Sequence, residues 1–101
     1  MTKIKMLNDL KINLSEMEIS FAPVVQNKSI KVMVNTKMNV DLTVSCEQDE
    51  YGAYLKVHVD YSDDLFCMFE SNSSTEFTSP SKLAKKLKTM IKQYAKAEEY
   101  L

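Results

Sequence analysis

The sequence predicts an α+β domain: a four-stranded antiparallel β-meander followed by one C-terminal amphipathic helix packed on the sheet. Apolar and polar residues alternate over residues 30–46 and again over 53–61, as in strands buried on one face. After Ser79, apolar residues recur instead at helical spacing. The chain has 101 residues, the size of one domain. We therefore expect residues 10–78 to form the sheet and residues 79–101 to form the helix.

The first predicted strand covers residues 10–21. Its apolar residues alternate in two runs of opposite phase: Leu10, Ile12 and Leu14, then Met17, Ile19 and Phe21. A β-bulge at Ser15 and Glu16 would explain the change of phase. Pro23 is expected to end this strand because proline has no N–H to donate to a neighbouring strand. An alternative stays open for residues 3–9, because a helical stripe fits the following residues: Ile4, Leu7, Leu10 and Leu14.

The next alternation, from Ile30 to Cys46, is long for a single strand, since strands usually have about 5–6 residues. We expect either a bend or bulge near residues 35–37, or two strands that keep the same phase. A turn over residues 47–52 contains Gly52, the only glycine of the chain. The alternation then resumes over residues 53–61, which predicts an antiparallel hairpin.

The last strand and the helix complete the predicted order. Residues 65–69 are apolar at every position, which indicates a strand covered on both faces, and residues 72–75 look like a loop or a weak edge. Ser79 is a good N-cap and Pro80 suits the first helical position. One helical face is apolar and the opposite face carries four lysines: Lys85, Lys88, Lys92 and Lys96.

Composition excludes several classes of protein. The longest apolar run is a few residues, too short for a membrane span. The N-terminal residues do not resemble a secretory signal, and two cysteines are too few for a disulfide scaffold, so we expect a cytoplasmic protein. All thirteen basic residues are lysine, and without arginine the reading of a nucleic-acid sequence is disfavoured.

Charge is unevenly distributed although the net charge is only -1. Residues 38–78 contain nine acidic residues and one lysine, whereas residues 79–101 contain six lysines and two acidic residues. The acidic sheet and the basic helix could simply complement each other within one fold. Alternatively, the acidic segment imitates a nucleic acid, or the lysines bind a nucleic-acid backbone weakly.

No catalytic, cofactor or metal site is expected. Cys46 lies in the apolar phase of its strand and His58 in the polar phase of the next, which places them on opposite faces of the sheet. Cys67 lies in a wholly apolar run, where a thiol usually serves as a small core group. The chain lacks the spacings of zinc sites, and with one glycine it lacks phosphate-binding loops. We therefore predict that the protein is not an enzyme.

Some apolar residues occupy positions where solvent-facing residues are expected. Met33 and Tyr54 lie in the polar phase of their strands, and Phe66 and Met68 must face away from the residues on either side of them. Methionine is common on adaptable apolar binding surfaces. These four residues are the predicted partner-binding site, whether the partner is another polypeptide or a second copy of the chain.

The strand series resembles the SecB family of protein-export chaperones over residues 10–78. The resemblance lies in the broken first strand over residues 11–21, the alternating strand with residues 40–46, the acidic turn, and the segments 55–59 and 65–70 before a helix. It implies a four-stranded antiparallel sheet that assembles through its sheets. It also implies binding of unfolded or antitoxin-type clients in apolar grooves.

An alternative function belongs to a different class. The chain could be a small phage-type inhibitor of a host defence nuclease, of the anti-CRISPR or anti-restriction kind, that presents its acidic side chains in place of phosphates. The residues that would form this acidic surface are Asp41, Glu47, Asp49, Glu50, Asp60, Asp63 and Asp64.

Overall fold

The computed structural model describes residues 2–34, 40–61 and 73–98, which form two helices and five strands. In chain order these are α1 (Lys3–Glu16), β1 (Phe21–Val25), β2 (Ser29–Val32), β3 (Val40–Asp49), β4 (Gly52–Tyr61), β5 (Ser73–Phe77) and α2 (Pro80–Glu98). The strands form one antiparallel sheet in the order β1-β2-β3-β4-β5. The predicted α+β class with an antiparallel meander is confirmed, but with five strands rather than four and a second helix.

The β3–β4 hairpin forms as predicted, with a tighter turn. Its register runs from Val40 opposite Tyr61 to Asp49 opposite Gly52, so the strands extend into the region predicted as turn. The Asp49 carboxylate accepts a hydrogen bond of 2.8 Å from the backbone N–H of Tyr51. Gly52 has φ +127°, a conformation that residues with a Cβ rarely adopt. The single glycine therefore lies where the turn requires it.

The predicted strand over residues 10–21 is wrong, because most of this segment belongs to α1. The Thr2 hydroxyl accepts a hydrogen bond from the Lys5 N–H and caps the helix. One face of α1 is buried, formed by Met6, Leu7, Leu10 and Leu14. Ile12 is 57% exposed, so the alternation that suggested a strand arose from one apolar residue on the solvent face of a helix.

Pro23 does not end the first strand but lies within β1, opposite Ile30. The Met33 N–H donates to the Ser20 carbonyl at 2.9 Å, and the hydrogen-bonded pairs of an antiparallel ladder alternate from there. This alternation places the backbone nitrogen of Pro23 on the outer side of β1, away from β2. The missing N–H of the proline therefore removes no hydrogen bond between β1 and β2. Proline is compatible with an edge strand for this reason.

The long alternation from Ile30 to Cys46 corresponds to two strands in phase, the second of the two expectations. Val32 lies opposite Leu42 and Ile30 opposite Val44, so β2 and β3 bury the same face. The predicted strand over 65–69 lies outside the described residues. The segment 72–75, predicted as a loop or a weak edge, overlaps β5, which lies at the edge of the sheet.

The C-terminal helix begins as predicted, with Pro80 in its first position and the Ser79 hydroxyl accepting from the Lys82 N–H at 3.4 Å. Both helices cover the same face of the sheet, and they also contact each other. The residues with no exposed surface come from both layers: Leu10, Leu14, Leu42, Val44, Leu55, Leu83, Ala84 and Leu87. Neither helix, within the described residues, is long and apolar enough to cross a membrane.

Candidate functional site

The structure separates the predicted partner-binding residues from one another. Met33 follows β2 at one end of the sheet, whereas Tyr54 lies near the β3–β4 turn at the other end. Val32 pairs with Leu42 of β3, and Tyr54 pairs with Glu47, five positions further along β3. At about 3.3 Å per residue, these two levels of the sheet are about 17 Å apart. Phe66 and Met68 lie outside the described residues. Met33 and Tyr54 therefore cannot form one continuous patch.

Met33 instead lines an open groove where three parts of the chain meet. The groove has a volume of about 400 Å³ and is lined by Glu18, Ile19, Ser20, Met33, Val34 and Ile91. We call it the apolar groove, because four of these six side chains are apolar. Met33 is 51% exposed, while Ile19, Val34 and Ile91 are partly buried against the core.

The end of α1 fixes one wall of the apolar groove. The Ile19 N–H donates to the Leu14 carbonyl at 2.9 Å, and the Glu18 N–H donates to the Ser15 carbonyl at 3.1 Å. These two bonds form a Schellman motif, in which the residue after the helix adopts the left-handed conformation. That residue is Glu18, with φ +60°, where glycine would be free of strain. A strained glutamate therefore stands in the wall of the groove.

A second, smaller recess lies between the two helices. It has a volume of about 250 Å³ and is lined by Asp9, Ile12, Asn13, Pro80 and Ser81. The Asn13 amide donates to the Asp9 carbonyl at 2.7 Å within it, so one of its polar side chains already has an intramolecular partner. The apolar groove is the larger of the two and is lined by more apolar residues.

Four of the acidic residues predicted as a phosphate mimic, Asp41, Glu47, Asp49 and Glu50, lie on or beside the sheet face that neither helix covers. The Asp41 carboxylate lies 3.0 Å from the Lys31 ammonium group, and the Glu47 carboxylate accepts a 3.0 Å hydrogen bond from the Tyr54 hydroxyl. Glu50 is exposed in the turn beside Asp49, which caps that turn. Three of these four carboxylates thus have intramolecular partners.

The other residues of the predicted acidic surface are Asp60, Asp63 and Asp64. Asp60 lies opposite Asp41 in the register of β3 and β4. Asp63 and Asp64 lie outside the described residues.

The Tyr54 hydroxyl provides a titration that tests this arrangement. Its hydrogen bond to Glu47 raises the pKa of Tyr54 above 10, with further contributions from burial and from the negative charges of Glu47, Glu76 and Asp49. We expect Glu47→Gln to lower the pKa of Tyr54 towards 10, measured by the ultraviolet absorbance of the phenolate, with Tyr54→Phe identifying its contribution. Because the folded protein favours the neutral phenol, the hydrogen bond stabilises the fold below pH 10. This contribution to the free energy of unfolding is lost as the pH rises through the pKa of Tyr54 in the folded protein. An unchanged pKa in Glu47→Gln would contradict the hydrogen bond.

Cys46 and His58 lie on opposite faces of the sheet, as predicted. Cys46 is 2% exposed, and its thiol donates to the carbonyl oxygens of Lys28 at 3.3 Å and Asn27 at 3.5 Å. His58 is exposed on the opposite face of the sheet, across from Thr43. Cys67 lies outside the described residues. In the described part of the chain, no three His, Cys, Asp or Glu side chains are grouped so that they could hold a metal ion.

Sequence reasoning identified Met33 but missed the other apolar residues of the groove. Ile91 was visible only as one member of the apolar face of α2, and Ile19 was assigned to a strand. Comparisons of the chain with protein-family models, with curated proteins and with solved structures find no match. The resemblance to the SecB family therefore stays a prediction.

Proposed function

We propose that the protein is a non-enzymatic protein-binding module that holds an extended segment of a partner polypeptide in the apolar groove. The observation that carries this proposal is the half-exposed side chain of Met33, at 51%, among apolar neighbours from α2 and from the α1–β1 connection. A client-binding function of this kind is also what the SecB-like strand pattern implies.

The dimensions and chemistry of the groove support a polypeptide segment as its occupant. Its volume of about 400 Å³ falls within the range of roughly 300–1,000 Å³ that is usual for binding pockets. Methionine has three rotatable bonds and a polarisable sulfur, so Met33 can adapt to different apolar side chains. The groove suits one or a few apolar side chains of a partner.

Glu18 places a negative charge beside the apolar groove, which bears on the charge of the partner segment. Its left-handed backbone conformation is unfavourable for a residue with a Cβ, and strain of this kind is concentrated at functional sites. Its side chain is exposed beside the apolar lining of the groove. We therefore propose that the partner segment carries a lysine or arginine next to its apolar residues, to pair with the Glu18 carboxylate.

The first experiment measures fluorescence anisotropy with a labelled, permanently unfolded polypeptide, such as a reduced and carboxymethylated globular protein. Met33→Ser is expected to weaken binding about fivefold, because covering the exposed half of a methionine is worth about 1 kcal/mol. Val24→Ser is the matched control, since Val24 is 57% exposed but does not line the groove. Equal losses in both variants, or none in Met33→Ser, would contradict the proposal.

Glu18 allows stability and binding to be separated. Glu18→Gly is expected to raise the free energy of unfolding by about 0.5–1 kcal/mol, because glycine removes the strain of the left-handed cap. The same variant should bind a segment containing lysine more weakly. Glu18→Gln removes the charge but keeps the strained Cβ, so it should weaken binding without the gain in stability. A Glu18→Gly protein that is stabilised and binds at full strength would show that Glu18 has no part in binding.

Light scattering coupled to size exclusion, at two concentrations, distinguishes a separate partner from a second copy of the chain. A dimer that Met33→Ser dissociates would identify the second copy as the occupant of the groove. A monomer of 11.6 kDa would leave the groove free for another polypeptide.

A further inference from the structure

The solvent-facing side of α2 carries a line of lysines, and the one acidic residue of the helix is Glu98, its last residue. Residues 80–97 contain six lysines and no acidic residue. Five of these lysines lie on one side of the helix, and all five are exposed: Lys82, Lys85, Lys88, Lys92 and Lys96. We call these five residues the lysine stripe. The ion pairs formed among the described residues, Lys5–Asp9 and Lys31–Asp41, do not involve it.

The spacing within the lysine stripe is unfavourable for the helix itself. Each lysine lies three or four residues from the next, the spacing at which like charges on a helix repel each other. The first turn of α2 has no acidic residue to offset its positive dipole end, and Lys82 lies in that turn. A helix that only needed to be soluble would gain stability from acidic residues at these positions, so the arrangement indicates an anionic ligand.

The fold presents the lysine stripe on the opposite side of the domain from the acidic residues of the sheet. The helices cover one face of the sheet, whereas Asp41, Glu47 and Glu76 lie on or border the uncovered face. The two charged surfaces therefore lie on opposite sides of a domain whose shortest dimension is 22 Å. A polyanion approaching the exposed side of α2 meets the lysine stripe, and the carboxylates on the sheet face away from it.

We propose that the lysine stripe binds the phosphate backbone of a nucleic-acid strand. From Lys82 to Lys96 the stripe spans about 21 Å at 1.5 Å per residue. Phosphates of one strand follow each other every 3.4 Å or so along a duplex, so the stripe faces about six of them. Lysine contacts of this kind neutralise phosphates without reading bases.

The packing of α2 argues against a lipid surface as the ligand. Helices that lie in a membrane interface insert their apolar face between the lipids. The apolar face of α2 is buried in the core: Leu83 and Leu87 have no exposed surface and Tyr94 is 3% exposed. The exposed side of α2, within the described residues, has no aromatic ring beside the lysine stripe, so we expect binding without base stacking or sequence preference.

The test is the salt dependence of binding to a labelled single-stranded oligonucleotide and to the corresponding duplex, measured by anisotropy between low and moderate salt. With five contacts, the slope of log K against log salt should be about −3.5 for the single strand and about −4.5 for the duplex. The double variant Lys88→Gln and Lys92→Gln should reduce the magnitude of this slope by about 1.5. It should also weaken binding on the order of 10- to 100-fold at low salt. Glutamine keeps the helix propensity and removes repulsion, so the variant should melt no lower than the original protein.

The matched control makes the same change in net charge at two lysines outside the lysine stripe. Lys3→Gln combined with Lys28→Gln replaces two exposed lysines, neither of them on α2. This variant should keep the slope and the affinity of the original protein. The proposal is overturned by absence of saturable binding at low salt, by an equal loss in the control, or by tighter binding to vesicles of anionic lipid than to the oligonucleotides.

Discussion

Replacing Leu10 with alanine is expected to lower the free energy of unfolding by about 2–5 kcal/mol. Leu10 has no exposed surface and lies on the buried face of α1, within the core that also contains β3 and β4. Truncation removes buried apolar surface and leaves a cavity that the surrounding helices and strands fill only in part. A domain of this size is stable by about 5–15 kcal/mol, so the loss is a large fraction of the total. Urea unfolding followed by circular dichroism measures it.

Ile12→Ala is the matched control for this prediction. Ile12 lies two residues away in the same helix but is 57% exposed, and alanine is the better helix former. We expect a change of less than about 0.5 kcal/mol, as for most surface substitutions. In a strand with the alternation that the sequence suggests, Leu10 and Ile12 would lie on the same face and both substitutions would be costly. Equal losses would therefore contradict the helix.

Ala84→Leu is expected to destabilise the protein by up to about 3 kcal/mol, because it adds three carbon atoms at a closely packed position. Ala84 has no exposed surface and lies on the side of α2 that faces the core. A larger side chain there must displace α2 from its neighbours or adopt a strained rotamer.

Ala95→Leu makes the same substitution at an exposed position of the same helix. Both residues change equally in helix propensity, so the difference between the two melting temperatures isolates the effect of packing. We expect Ala95→Leu to leave the melting temperature within a few degrees of the original. A similar melting temperature for both variants would show that α2 is not tightly packed at Ala84.

The elements that could be predicted from the sequence are those with an uninterrupted period and a clear boundary. The β3–β4 hairpin follows from alternation on both sides of Gly52, and α2 follows from its apolar stripe and from Ser79 and Pro80. The N-terminal helix was not distinguished from a strand because two patterns fit the same residues. Leu10, Ile12 and Leu14 alternate as in a strand, whereas Leu10 and Leu14 alone have the spacing of a helix. Only the tertiary structure shows that Ile12 faces solvent.

The candidate site could be predicted only one residue at a time. Met33 was identified because it is apolar in a polar phase, a property of its own strand. Its neighbours Ile19 and Ile91 come from segments far apart in the chain. Local periodicity does not show that these segments lie next to each other in the fold. Tyr54 showed the same local signal, but the pairing of β3 with β4 places it opposite Glu47, which binds its hydroxyl.

The contact between α1 and α2 has a consequence for the synthesis of the protein. The ribosome makes α1 before any of the strands and α2 after all of them, yet α1 packs on β3, β4 and α2. While the chain grows, the apolar face of α1 lacks its last covering element, and contacts between such distant segments form slowly. The domain therefore completes its core only after α2 has left the ribosome. Until then, the apolar face of α1, which includes Leu7, Leu10 and Leu14, is only partly covered, and exposed apolar surface of this kind is what chaperones bind on a nascent chain.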